Sequence, residues 1–96
     1  MIITTTDTII NKKISSYLGI VNGIDLYMVG GAFGGGLINQ EKLYSTALKN
    51  AMERMEQKAT EMGANAVIGV ALNVTSPGGS NFAMVSVTGT AIIVED

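Results

Sequence analysis

The stretch "QEKLYSTALKNAMERMEQKATEMGANAVIGVALNV", Gln40 to Val74, contains the change of period that decides the fold. In its first part Tyr44, Leu48, Ala51, Met52, Met55, Ala59 and Met62 recur at three- and four-residue steps, while Lys49, Asn50, Glu53, Gln57, Lys58 and Glu61 fall largely on the other side. That is an amphipathic α-helix, and no proline or glycine interrupts it from Gln40 to Met62. Asn39 suits the N-cap, because its side-chain oxygen can accept from an unpaired first-turn amide, and Glu41 suits the positive end of the helix dipole. Lys49 and Glu53 are spaced to pair. Gly63 follows at once and can take the left-handed conformation that ends helices. Beyond it, Asn65 to Val74 is nearly continuously apolar, which predicts a strand buried on both faces or at a subunit contact.

Outward from this core, "TSPGGSN" from Thr75 to Asn81 is a turn by composition. It leads to a further strand in which Phe82, Met84, Ser86, Thr88 and Thr90 alternate with Ala83, Val85, Val87, Gly89 and Ala91, so these two strands form a hairpin. Upstream, "MIITTT" at residues 1–6 is mostly β-branched and predicts a first strand. Ile14 to Val29 is a second extended segment with Gly19 and Gly23 inside it. Those glycines mark a bulge or a close backbone approach, or else Asn22-Gly23 closes a tight hairpin and splits the segment in two. The expected class is α+β in the order β-β-α-β-β, a single domain over residues 1–96 with one long helix packed on a mainly antiparallel sheet.

The chain is 47% hydrophobic and 15% charged, well below the roughly 25% charged residues of an average soluble domain. One helix covers one sheet face, yet the strands carry apolar residues on both, so the second face needs a partner, and self-association into a homo-oligomer is expected. No run approaches the roughly 20 apolar residues that span a bilayer, and no signal peptide opens the chain, so neither a membrane nor an exported location is expected and a cytoplasmic one is. A net charge of -2 offers no basic footprint for nucleic acid.

"YLGIVNG" (17–23), "EMGANAVIGV" (61–70) and "MVSVTGTAI" (84–92), in this order along nearly the whole chain, resemble the YbjQ family, also called UPF0145. The resemblance implies a β-β-α-β-β protein that assembles as a ring-shaped homopentamer, of uncharacterised biochemical role and with a heavy-metal-binding label. It also implies that Gly63 and Ala64 turn the chain from helix into strand, and that Gly69 and Gly89 let strands lie close to neighbouring backbone. Many relatives carry a longer segment with arginine and aspartate before the helix; "GGAFGGGLINQ" has no matching positions, so no role of those charges carries over.

Candidate sites are few. Five glycines in seven residues, Gly30 to Gly36, precede the helix, and a glycine loop feeding a helix N-terminus is a place where anions bind. Neither G-x-G-x-x-G nor the P-loop spacing is present, so Gly34, Gly35, Gly36 and Asn39 form only a generic ligand-binding candidate, against the alternative of a subunit-contacting loop with Phe33 inserted in a neighbour. No metal ligand set and no cofactor is expected: the chain has no cysteine or histidine, and Met52, Met55 and Met62 at helical spacing read as core. The acidic pairs Glu53 with Glu56 and Glu95 with Asp96 read as solvated surface. No catalytic residue is assigned, because no imidazole, thiol or motif-activated serine is present; a site built between subunits is the competing reading.

Overall fold

The computed structural model describes residues 1–28, 37–76 and 81–96, with the side chains of residues 37–39 outside that description. Its elements are β1 (Ile2–Ile3), β2 (Lys13–Met28), α1 (Leu37–Glu61), β3 (Ala66–Thr75) and β4 (Phe82–Glu95). The sheet runs β1-β3-β4-β2, with both ladders of β4 antiparallel and β1 parallel to β3. The α+β class and the element order are as expected, while the sheet is mixed. The first strand is shorter than residues 1–6: only Ile2 and Ile3 pair in register with Ala66 and Val67. Beyond them Thr4 still donates to the Val67 carbonyl at 3.0 Å and Gly69 to that of Thr6 at 2.9 Å, so the chain follows β3 without a regular ladder.

β2 is a single strand of 16 residues, and Asn22 and Gly23 sit opposite Thr88 and Val87 in its middle, which excludes the tight hairpin. At about 3.3 Å per residue such a strand spans about 50 Å. It sets the long dimension of the 52 × 21 × 18 Å molecule.

The helix begins at Leu37, ahead of the expected start, so Asn39 lies within its first turn and is not the N-cap. Its end is as expected. Gly63 has φ 90°, its amide donates to the Thr60 carbonyl, and the Ala64 amide reaches back to that of Ala59, each at 3.0 Å. This pair of bonds satisfies carbonyls that the last turn would leave unpaired. Lys49 and Glu53 form no ion pair.

Ala47, Ala51, Met55 and Ala59, four residues apart, are the fully buried line of the helix, whereas Tyr44, Leu48 and Met52 are half-buried and Met62 is exposed. The small residues have a reason on the strand below. A Cβ on Gly23 would stand 1.8 Å from the Ala51 carbonyl oxygen, so the helix backbone rests directly on β2 where that strand has no side chain. Val21, Val67, Val85, Val87 and Ala91 complete this core around Met55. Burying a side chain such as Met55 stabilises by about 1.5–3 kcal/mol. Gly89 is closely approached, chiefly by a side chain: a Cβ there would lie 2.5 Å from Val67 Cγ1 and 3.2 Å from the neighbouring backbone at the Ile68 carbonyl oxygen. Gly69 is not: a Cβ there would meet only Asp7 Oδ1 at 3.9 Å, and its role is the left-handed φ of 61° at the register shift between Ile68 and Ala71.

A second cluster, Ala66, Ile68, Ile92 and Val94, is packed by Ile9 and Ile14. Asn65 locks this end, its amide nitrogen donating to the Val94 carbonyl at 3.0 Å while its oxygen accepts from the Val94 amide at 2.8 Å. The expected burial of β3 holds only over Ala66–Ile68; from Ala71 to Thr75 the strand is exposed.

Candidate functional site

Alternation along β2 places Val21 and Gly23 under the helix and Ile20, Ile24, Leu26 and Met28 toward the other face. Ile20 is 82% exposed and Leu26 56%, and on β4 Phe82, opposite Met28, is 47% exposed. Leu26 with Met84 and Met28 with Phe82 are apolar pairs in register, and with Ile24 they make an exposed apolar patch from which Ile20 is separated by Asn22, the kind of feature found at interaction surfaces. At the opposite end of the same face, Ile9 and Ile14 cover the Ile68 and Ile92 cluster. The face is therefore sheltered at one end and bare at the other.

The polar constellation lies along the outer edge of β2. Asn50 Nδ2 donates to Asp25 Oδ2 at 3.0 Å, Arg54 donates to Asp25 Oδ1 at 3.1 Å and to the Ile24 carbonyl, and Lys58 Nζ donates to Asn22 Oδ1 at 3.0 Å. The Asn50 hydrogen bond holds the Asp25 carboxyl below its ordinary value of 3.8 against the opposing effect of burial, helped by the Leu26 amide and the Arg54 charge. A carboxylate kept ionised with both oxygens occupied is a clamp between helix and strand rather than a general base. Asn50 was expected on the solvated side of the helix; its partner 25 residues earlier in the chain draws it to the sheet. At the far end of the chain, Asp96 is likewise held below its ordinary value by hydrogen bonding to Lys12.

Beside this clamp lies a depression of about 370 Å³ lined by Ile24, Arg54, Gln57, Lys58 and Glu61. Its two cations already have protein partners. A second, of about 360 Å³, is lined by Ile2, Thr4, Thr6, Thr8, Ile9 and Ile10, where Thr4 and Thr6 hydroxyls bond each other at 2.9 Å. Of the expected ligand residues, Gly34, Gly35 and Gly36 lie outside the described residues, as does Phe33, and Asn39 is placed only as backbone in the first helical turn. Tyr27 and Tyr44 pack edge to face with centroids 6.1 Å apart, while Tyr17 stands exposed. Among the described residues no helix is long and apolar enough to cross a membrane.

These features define a small α+β domain with one helix on a mixed sheet and an apolar area on the sheet's far side. The chain belongs to the YbjQ (UPF0145) family: residues 1–95 match the family described as "Putative heavy-metal-binding". A UPF0145 protein of Acetivibrio thermocellus is 38% identical over 106 residues, covering 99% of this chain and 100% of its own. A UPF0145 protein of Clostridium kluyveri has the same identity and coverage. A solved structure from Pediococcus pentosaceus, of unknown function and assigned to the DUF74 family, matches with a TM-score of 0.74 at 20% identity over 99% of this chain and 98% of that one. At that identity the likeness concerns the fold.

The family's description can be tested against the donors present. With no cysteine or histidine, the soft donors are six methionine thioethers. Met55 is sealed in the core, and Met62 lies beside Gly19 at the end of the helix. No three carboxylates converge among the described residues, and residues 29–36 and 77–80 contain no Cys, His, Asp, Glu or Met. Heavy metals prefer thiolate or imidazole, so the residues of one chain do not fit such a site.

Proposed function

We propose that this protein works as a non-enzymatic homo-oligomeric scaffold or small-ligand binding module in the cytoplasm, its subunits covering one another's bare sheet face. The observation that carries the reading is the patch of Ile20, Ile24, Leu26, Met28 and Phe82, large apolar side chains exposed together on one face. Surface of this kind, on a domain too small to fold a second layer over it, is stabilised by burial against an identical copy. A closed ring, five-fold by the family resemblance, is the proposed assembly. The clamped Asp25 and the partnered Arg54 and Lys58 support a structural role for the polar groups at the β2 edge. Native mass spectrometry with elemental analysis tests the reading. It predicts a multiple of the 10.0 kDa chain mass without stoichiometric metal. Stoichiometric metal in the assembled protein would instead favour a metal-handling site made between subunits.

A further inference from the structure

Arg54, Gln57, Lys58 and Glu61 stand three and four residues apart, so they share one flank of α1. With Ile24 they line the depression of about 370 Å³ beside β2, a volume at the small end of ligand sites. Arg54 and Lys58 are partnered there without being saturated. Arg54 makes its bonds to the Ile24 carbonyl and to Asp25 through Nη1, which fixes the guanidinium and leaves Nε and Nη2 without a partner among the described residues. Lys58 Nζ spends one of its hydrogens on Asn22 Oδ1. A guanidinium fork held in this way is pre-organised for a carboxylate, because little side-chain freedom is lost on binding. The side chains of Gln57 and Glu61 have no hydrogen-bond or ion-pair partner among the described residues.

The charges are ordered along the helix. Glu61 is the last helical residue, where the negative end of the helix dipole adds to its own charge. At the helical rise it lies about 5 Å beyond Lys58 and about 10 Å beyond Arg54. Asp25 and Glu61 balance Arg54 and Lys58, so a simple anion meets no net charge. A molecule carrying both signs meets its complement at each end. Ile24, 40% exposed, gives the depression an apolar surface suited to a hydrocarbon chain.

We infer that this depression binds a small dipolar molecule of the ω-amino carboxylate class, its carboxylate on Arg54 and Lys58, its ammonium on Glu61 and its aliphatic chain against Ile24. The inference rests on the small-ligand part of the proposed function and names the chemistry of the ligand. It does not depend on assembly.

The probe is 6-aminohexanoate, whose extended chain spans the interval between the cations and Glu61. Binding to the full chain is followed by nuclear magnetic resonance at the Ile24 methyl and the Gln57 side-chain amide. Hexanoate and hexylammonium, each lacking one charge, are the controls. Expected are saturable shifts with the dipolar probe and affinities about fivefold lower for each control, about what one exposed ion pair supplies. Glu61→Gln should weaken 6-aminohexanoate by about the same factor without weakening hexanoate. Lys58→Gln should weaken hexanoate without weakening hexylammonium. Either control binding as tightly as the dipolar probe, or an unchanged affinity in Glu61→Gln, would overturn the site. An oligomeric wild-type protein that shows no shift with 6-aminohexanoate would overturn it too and leave self-association standing. A monomer that binds the probe with the expected selectivity would support the site and overturn the assembly.

Discussion

The two sides of β2 are built from the same strand and have opposite fates. On one side Val21 and Gly23 are buried beneath Ala47, Ala51 and Met55; on the other Ile20, Ile24 and Leu26 face outward. The buried side achieves contact by removing side chains: Gly23 and the alanine line bring two backbones together. The bare side retains large side chains, and among the described residues nothing of its own chain lies above its distal half. The difference teaches that one side is finished within the subunit while the other keeps its apolar side chains exposed, which is the feature the proposed self-association rests on.

Substitutions break or sharpen this contrast to graded extents. The largest effect is expected for Gly23→Val, where even the first added carbon meets the Ala51 carbonyl oxygen at 1.8 Å. Overpacking against backbone that cannot yield should cost about 3 kcal/mol or more, seen in urea titration as loss of the folded baseline. Met55→Ala removes the largest fully buried side chain of that layer and should cost about 2–5 kcal/mol by the same titration. Gly63→Ala meets no atom within 4 Å but must hold φ 90°, so a loss of about 1 kcal/mol is expected. On the bare side, Ile20→Ser should alter the stability of an isolated subunit by less than about 0.5 kcal/mol while weakening assembly in dilution experiments.

The smallest effect concerns acid. Asp25 has a folded value below its ordinary 3.8, so its stabilising contribution is present above that value and disappears as pH falls through the lower folded one. Asn50→Ala removes the main cause of that lowering. The Asp25 titration followed by nuclear magnetic resonance should then move up toward 3.8, and the acid-unfolding midpoint should rise with it.

Local chemistry made the helix, its glycine stop and the β3–β4 hairpin legible in the sequence, because period and turn composition act within a few residues. Ala47 joins the buried line although its small side chain adds little to a hydrophobic pattern. What stayed hidden depends on distant partners. Asn22-Gly23 has the composition of a turn, and only the β4 ladder and the helix resting on Gly23 show it to be mid-strand. The parallel pairing of β1 has no local signature, and the Asp25, Asn50 and Arg54 clamp joins residues up to 29 apart. The excess of apolar residues over available cover was legible from composition. Its position on the distal half of β2 and β4 required the register.

Sedimentation equilibrium of the wild-type protein at micromolar concentration tests the central claim most directly. The account predicts a single species at a whole-number multiple of 10.0 kDa that resists dilution. A folded species of 10.0 kDa across that range, with the Leu26 and Phe82 face in water, would contradict it.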